Sequence, residues 1–355
     1  MSFTLADKTV FITGGSGTWG QEFTRQLAET RNVREIRIYS RGEYRQVEMR
    51  RALQRYPNVR YIVGDVRDRE RLYMTLHNVN VVIHLAALKH VPVVEEHPRE
   101  ALLTNTTGTM NVVDAAIEKG VERVLFVSSD KAVDPLSFYG ITKLAAERLV
   151  VAASEENHSS TRLIVYRAGN VMGSAGSVIP IFQKQLTQHN SITLTDPTMT
   201  RFFLSCHEAV GRALTSLEEG HGSETFVPKM KAATLEMLSA VMIKRLGNAE
   251  TKVDRISVRP GEKHSELLIS RNEAPRTVDL NCERWVILPP FCSNGLVACY
   301  SRAPRVPFAQ YGSDTALRFT AEELEDLLHT EGFLSPVPAH ADGQPYFRKG
   351  EWEFV

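Results

Sequence analysis

Tyr139 and Lys143 are the residues of this 355-residue chain whose types and spacing most directly suggest chemistry. Four residues on a helix make about one turn, so the phenol and the ammonium share one helical face. A nearby cation favours the phenolate, and a phenolate is a usable base near neutral pH. A Tyr-x-x-x-Lys pair alone carries little weight, because it occurs often by chance. Asp130-Lys131 lies just upstream and places an acid beside a second potential base, with the Ser129 hydroxyl before them. Taken alone, such a charged pair at a strand end reads as a plain surface ion pair. Close to Tyr139 and Lys143 it reads as a second acid–base couple.

These side chains need a frame. The apolar run Val124–Val127 ends directly before them. Similar runs lie at Thr9–Thr13, Glu35–Tyr39, Val59–Val63, Val81–Leu85 and Leu163–Tyr166, with helical patterns between them, as at Thr107–Lys119 and Thr142–Ala153. Strand and helix alternating in this way predict an α/β fold with a Rossmann-type, doubly wound parallel sheet. The first domain is expected over residues 1–169, with 202–223 returning to it. Beyond 170 the alternation fades and Gly, Pro and Ser increase. A smaller α/β substrate-binding lobe is expected over 170–201 and 224–290, with a helix at Leu235–Leu246 and a strand at Arg255–Val258. Residues 291–355 read as a C-terminal extension of unassigned role, with a helix at Thr320–Thr330.

Gly14, Gly17 and Gly20 form Gly-x-x-Gly-x-x-Gly directly after the first strand and before a helix. Glycines there let the backbone turn tightly and approach a pyrophosphate, toward which the helix N-terminus points. An acidic residue at the end of the second strand would grip the adenosine ribose and favour NAD. This chain has Tyr39-Ser40-Arg41-Gly42-Glu43-Tyr44-Arg45, whose Ser40, Arg41 and Arg45 suit the 2′-phosphate of NADP, with Glu43 opposing. A solvated basic loop is the plainer alternative. Asp65-Val66, after the third strand, can bracket the adenine.

Lys+Arg and Asp+Glu are each 42, so nothing in the net charge draws the chain to nucleic acid. No apolar run approaches the roughly 18–20 residues of a membrane span. The N-terminus enters an apolar strand without a signal-peptide layout, so a cytoplasmic location is expected. Cys206, Cys282, Cys292 and Cys299 lack metal-ligand spacing and read as reduced thiols, with no metal site expected.

With these motifs in order, the chain resembles the extended short-chain dehydrogenase/reductase superfamily. Within it, the chain looks like the inverting UDP-N-acetylglucosamine 4,6-dehydratases. The resemblance runs from about residue 4 to about 290. It is carried by Ser40-Arg41, Ala86–Pro92, Asn105, Ser129–Ala132, Tyr139-Gly140 with Lys143, Gly169–Ser174, Gly176–Pro180, Met199–Phe202, Phe226–Lys229 and Arg259–Lys263. It implies a lyase that oxidises the sugar at C4, removes water across C5 and C6, inverts C5 and recycles its NADP. In that scheme Tyr139 takes the O4 proton and Ser129 bonds O4. Lys143 holds the phenolate and the nicotinamide ribose. Lys131 is the C5 base and Asp130 the acid at C6. Asp-Lys at this place separates the inverting group from retaining dehydratases, which carry Asp-Glu, and from 4-epimerases, which usually carry small residues.

The coenzyme set that goes with this reading is Gly14, Gly17, Thr18, Trp19, Gly20, Ser40, Arg41, Arg45, Asp65, Val66, Leu85, Ala86, Lys89, Asn105, Tyr139, Lys143 and Val171. The UDP-sugar set is Lys89, Asn170, Val178, Pro180, Thr195, Arg201, Arg259 and Glu262. Arg201 and Arg259 are placed on the diphosphate, which guanidinium matches bidentately. Glu262 is placed on the uridine ribose, and Val178 and Pro180 at the uracil. A homo-oligomer, dimer or hexamer, is implied. Ala168, Gly42 and the position of His264 depart from the family pattern and bear on the exact sugar. A UDP-hexosamine 4-epimerase or 5,6-dehydratase is the alternative enzyme. A dinucleotide-binding regulator is the non-enzymatic one, and it has no need of Asp130, Lys131, Tyr139 and Lys143 together.

Overall fold

The computed structural model describes residues 3–156, 160–174, 177–258 and 261–336. The chain divides into two compact units. One comprises the chain up to Ala168 with His207–Lys229 and Leu267–Gln310. The other comprises Gly169–Cys206, Met230–Glu266 and the described residues from Tyr311 on.

In the first unit the elements run β1 (Thr9–Thr13), α1 (Thr18–Thr30), β2 (Glu35–Ser40), α2 (Glu43–Ala52), β3 (Val59–Val63), α3 (Arg69–Thr75) and β4 (Val81–His84). They continue as α4 (Val91–Glu96), α5 (Pro98–Ala101), α6 (Gly108–Glu118), β5 (Arg123–Ser129), α7 (Phe138–Glu156) and β6 (Arg162–Ala168). The strands lie in the order β3-β2-β1-β4-β5-β6, all parallel. The order reverses between β1 and β4, which makes the crevice at the strand C-termini where sheets of this kind bind ligands. β1 is buried at every residue, as expected of a strand covered on both faces. Phe11, Tyr39, Leu72, Val82, Val112, Phe126, Val150 and Leu163 form much of the core on one face.

The expected boundaries shift. Residues 224–229 and 267–290, expected in the smaller lobe, extend the large sheet instead. Thr225–Pro228 pairs parallel with β6, Arg284–Ile287 pairs antiparallel with it, and Thr277–Asp279 closes the edge. Phe226 and Val227 are fully buried there. Residues 202–206, expected to return to the first domain, stay in the second unit, where Phe202 and Phe203 belong to a strand paired antiparallel with Lys231–Thr234. Nor is the stretch from 291 a single extension: it joins the first unit up to Gln310 and the second from Tyr311.

The second unit has its own core, including Phe182, Leu186, Leu194, Phe203, Leu238, Met242, Leu324, Leu328 and Phe333. Thr320 and Glu323 form a capping box that starts its last described helix, Ala321–Thr330. The strand expected at Arg255–Val258 lies at Lys252–Arg255, paired with Ser191–Leu194. All four of its residues are exposed, so hydrophobic patterning does not mark it.

Candidate active site

β5 delivers Ser129 to the sheet's C-terminal edge, and the chain then makes one 3₁₀ turn, Asp130–Ala132, before α7. Ser129 caps that turn, its hydroxyl accepting from the Lys131 N–H at 3.3 Å. Gly140 brings α7 against the same turn. A Cβ at Gly140 would stand 2.1 Å from the Lys131 carbonyl oxygen. Gly140→Ala is therefore expected to push the turn off the helix, lowering unfolding free energy by about 1–3 kcal/mol in a denaturant titration. Activity should fall with it.

Ser129 Oγ donates to Asp130 Oδ1 at 2.7 Å, and Lys131 Nζ donates to the same oxygen at 3.2 Å. The Asp130 side chain is 1% exposed and that of Lys131 28%, so the couple is anchored at its acid and open at its amine. Tyr139 packs with Val94, Ala101, Leu88 and Val91. Burial pushes its phenol up to about 12, with the Lys131 charge and a hydrogen bond with Ser129 working the other way. Lys143, expected to hold that phenolate, instead donates to the Val127 carbonyl at 2.7 Å and lies 4.1 Å from the centre of the Phe126 ring. Burial pushes its ammonium down to about 7, opposed by the Glu147 charge. The cation bearing on Tyr139 is thus Lys131. Helical spacing sets which face a long side chain leaves from, not where its end group finds a partner.

Two buried residues tie this edge together. Leu102–Thr107 is a turn of π-helix between α5 and α6, a feature often found at functional sites. From it the Asn105 carboxamide accepts from Leu88 N at 2.7 Å and donates to Leu88 O at 2.9 Å and to Thr142 Oγ1 at 3.0 Å. Helical patterning predicts a helix only from Thr107, and no residue pattern marks this turn. A second brace, His84, is equally unmarked. The ring lies between Thr13 Oγ1 at 2.6 Å and Thr109 Oγ1 at 2.9 Å, and Thr109 donates to Asn105 O at 2.6 Å. Burial, and then the Lys143 charge, push the imidazole down to about 3, so it is neutral and serves as a brace. A single histidine ending an apolar strand gives little sign of this in sequence.

The glycine loop fits a dinucleotide pyrophosphate. Gly14 has φ +66°, and a Cβ there would stand 2.8 Å from Ala86 N. Gly17 is the N-cap of α1 and offers no side-chain cap, which leaves the first-turn N–H groups of Thr18, Trp19 and Gly20 to an anion. Ser40 Oγ lies 3.0 Å from Ser16 Oγ and accepts from Gln46 Nε2 at 2.9 Å. Arg41 approaches Asp65 at 3.8 Å, while Arg67 pairs with that carboxylate at 2.6 Å. Burial works to raise the Asp65 carboxyl, but the Arg67 hydrogen bonds prevail and hold it below its ordinary value. Arg45 and Lys89 both bear on His90, whose imidazole is lowered by burial and then by these cations. Leu85 and Ala86 follow β4, their N–H groups donating to Thr13 Oγ1. Val66 packs under Gly108.

In the second unit Val171, expected with the coenzyme set, bridges to Leu204, and Asn170 precedes it half-buried. Val178 and Pro180 lie in the first turn of the helix Val178–His189, and Thr195 donates to Met199 Sδ at 3.7 Å. Arg201 and Glu262, assigned to different parts of UDP, pair with one another at 3.1 Å. Arg201 also donates to the carbonyls of Thr200 and His264 at 2.8 and 3.1 Å. Arg259 lies outside the described residues. No described helix is long and apolar enough to cross a membrane.

Comparison with known proteins places these features in a family. The sequence profile described as "Polysaccharide biosynthesis protein" matches residues 10–286. An inverting UDP-N-acetylglucosamine 4,6-dehydratase of Campylobacter jejuni is 38% identical over 341 residues, 92% of this chain and 99% of that protein. A UDP-glucose 4-epimerase of Rickettsia rickettsii is 41% identical over 335 residues, 93% of this chain and 98% of that protein. Among solved structures, Pen from Bacillus thuringiensis is 36% identical with a TM-score of 0.85, covering 92% of this chain and 99% of that one. The chain belongs to the polysaccharide biosynthesis protein family, on the extended short-chain dehydrogenase/reductase fold that its motifs resemble.

Proposed function

We propose that the chain is a UDP-N-acetylglucosamine 4,6-dehydratase that inverts C5. Its product is UDP-2-acetamido-2,6-dideoxy-L-arabino-hexos-4-ulose, for nucleotide-sugar and surface-glycan synthesis. The observation that carries this reading is the Asp130–Lys131 couple, held by Ser129 and bearing on Tyr139. A 4-epimerase needs one acid–base group at a carbinol carbon. A dehydratase needs a second couple at C5 and C6, and this chain has one.

A bound nicotinamide dinucleotide supplies a reversible hydride acceptor and a positive charge beside the phenol. Tyr139 takes the O4 proton as C4 becomes a ketone, with Ser129 on the same oxygen. The ketone acidifies C5. Lys131, as a neutral amine, takes the C5 proton, and Asp130, as a neutral acid, gives its proton to the C6 hydroxyl, which leaves as water; C6 then regains the hydride removed from C4 and C5 is reprotonated on the opposite face, which gives the 6-deoxy 4-ketone. Moving one proton across the 3.2 Å contact converts the ion pair into these two neutral forms without changing net charge. Lys131 has the exposure needed to reach substrate, and the buried Asp130 keeps the donor proton from bulk water. NADP is favoured over NAD, because Ser40 and Arg41 end β2 without an acid and Arg45 and Lys89 add positive charge. Arg201, Arg259 and Glu262 are offered to the UDP moiety, with Asn170, Val178, Pro180 and Thr195.

Incubation of the purified protein with UDP-N-acetylglucosamine in deuterium oxide, followed by NMR, tests the reading. The expected product is a 4-keto-6-deoxy sugar of L-configuration with deuterium at C5. A product that keeps oxygen on C6 and differs only at C4 would establish the epimerase instead.

A further inference from the structure

Arg201 is the diphosphate candidate of the second unit, and main chain aims its guanidinium. Its Nη1 donates to the carbonyls of Thr200 and His264 at 2.8 and 3.1 Å, which commits both hydrogens of that nitrogen to backbone. Its Nη2 donates to side chains, Glu262 Oε1 at 3.1 Å and Met199 Sδ at 3.4 Å. Side chains can turn away from an arriving anion, and backbone carbonyls cannot. Nη2 is therefore the end that can be given to a phosphate oxygen, and Nη1 is the end that sets the direction of the fork.

The two carbonyls belong to different stretches. Thr200 opens the strand Thr200–Phe203, and His264 lies on the stretch that runs to Glu266. They meet at an isolated bridge, Thr200 to Ser265, with Thr200 N donating to His264 O at 3.0 Å. Ser313 lies across this short pairing, fully buried. Its Oγ accepts from Glu266 N at 2.9 Å, donates to Thr200 O at 3.0 Å and meets Thr200 Oγ1 at 2.7 Å. Its N–H donates to Glu266 O at 2.8 Å. A hydroxyl has one hydrogen and two lone pairs, and these three contacts use them all. Thr200 O in turn accepts from both Ser313 and Arg201. Tyr311 anchors the segment that carries Ser313, its hydroxyl donating to Met230 O at 2.6 Å and its ring packing 5.4 Å from that of Phe202.

We propose that Ser313 is a positioning residue for UDP binding: it pins Thr200 to Glu266 and so fixes the carbonyl seat that aims the Arg201 guanidinium at the diphosphate. The stretch from Tyr311, to which sequence patterning assigns no role, thereby supports the nucleotide-sugar site. Glu266 serves the same seat. Its side chain is 3% exposed with Oε1 4.0 Å from Arg201 Nε, and its main chain is what Ser313 holds. The inference rests on the placement of Arg201 on the diphosphate under the proposed function.

The test is a double-mutant cycle read by calorimetric titration of the full chain, coenzyme bound, with UDP. Ser313→Ala removes the hydroxyl and its three contacts, and the Kd for UDP should rise about 5- to 30-fold, the range for residues joined in one hydrogen-bond network. In Arg201→Lys a cation remains, but the fork that sits in the two carbonyls is gone. Adding Ser313→Ala to that variant should change the UDP Kd by less than about twofold, because the seat no longer has an occupant to aim. The kinetic arm is separate. KM for UDP-N-acetylglucosamine should rise with the Kd while kcat holds, since Asp130, Lys131 and Tyr139 are untouched. A lower melting temperature with an unchanged UDP Kd, or the same fold-loss with and without Arg201, would make Ser313 purely structural and overturn the proposal. If Ser313→Ala does not fold, Thr200→Val decides. It removes only the contact between the two hydroxyls and should raise the UDP Kd about threefold, and an unchanged Kd overturns the proposal. A chain that shows this coupling to UDP yet yields no 4-keto-6-deoxy sugar would sustain the inference and reject the dehydratase reading. A parent chain that binds no UDP would reject both.

Discussion

Tyr139→Phe is expected to lower kcat on UDP-N-acetylglucosamine by about 10³-fold or more, within the range that a positioned acid–base group contributes. The substitution isolates the hydroxyl. The ring packs among Val94, Ala101, Leu88 and Val91, and phenylalanine fills the same space. The melting temperature should therefore hold, because what is lost is one hydroxyl in a buried position. Burial pushes the phenol up to about 12, so the wild-type group is protonated at neutral pH. Its conversion to a base depends on positive charge around it, and Lys131 supplies part of that charge. The check is product formation by NMR beside a thermal melt. A folded variant that keeps more than a tenth of the parent rate would remove Tyr139 from the first proton transfer.

Lys131→Met is expected to have the second large effect, and a divided one. Loss of water should fall by about 10²–10⁴-fold, because the C5 base is gone. Oxidation at C4 should also slow, though less, because Lys131 is the cation that bears on Tyr139. The two steps separate by NMR: formation of the 6-deoxy methyl signal reports water loss, and disappearance of the C4 proton reports oxidation. Methionine keeps the length of the side chain, so Gly140 and the turn retain their packing. Asp130 would keep its bond from Ser129, and a melt should show only a modest loss. Water loss at the parent rate would take Lys131 out of the proposed mechanism. An equal loss in both steps would mean that its main effect is on the phenol.

The two expected results depend on residues that were legible at different levels. Tyr139 and Lys143 were found by spacing, and the helix Phe138–Glu156 carries both. Spacing could not say that Lys143 would turn to the Val127 carbonyl while Lys131 took the place beside the phenol. That outcome depends on Gly140, which lets the 3₁₀ turn pack against α7, a contact between residues nine apart whose only mark in sequence is the absence of a side chain. His84 and the π-turn at Asn105 left no pattern, because their partners Thr13, Thr109, Leu88 and Thr142 are scattered over distant elements.

The order of strands and helices through β6, the glycine loop and the Ser-Arg that stands in place of an acid at the end of β2 could all be read from the chain itself. They rest on local periodicity, backbone freedom and residue type, which are properties of short segments. Three things were set only by tertiary packing. Thr225–Pro228 and the strands near Trp285 joined the large sheet, because buried edge partners, not composition, determine where a strand pairs. Arg201 and Glu262, assigned to separate parts of a ligand, met each other. Glu147, Arg167 and Glu273 came together from three separate segments, since buried charges in a low-dielectric interior must find one another wherever the chain has placed them.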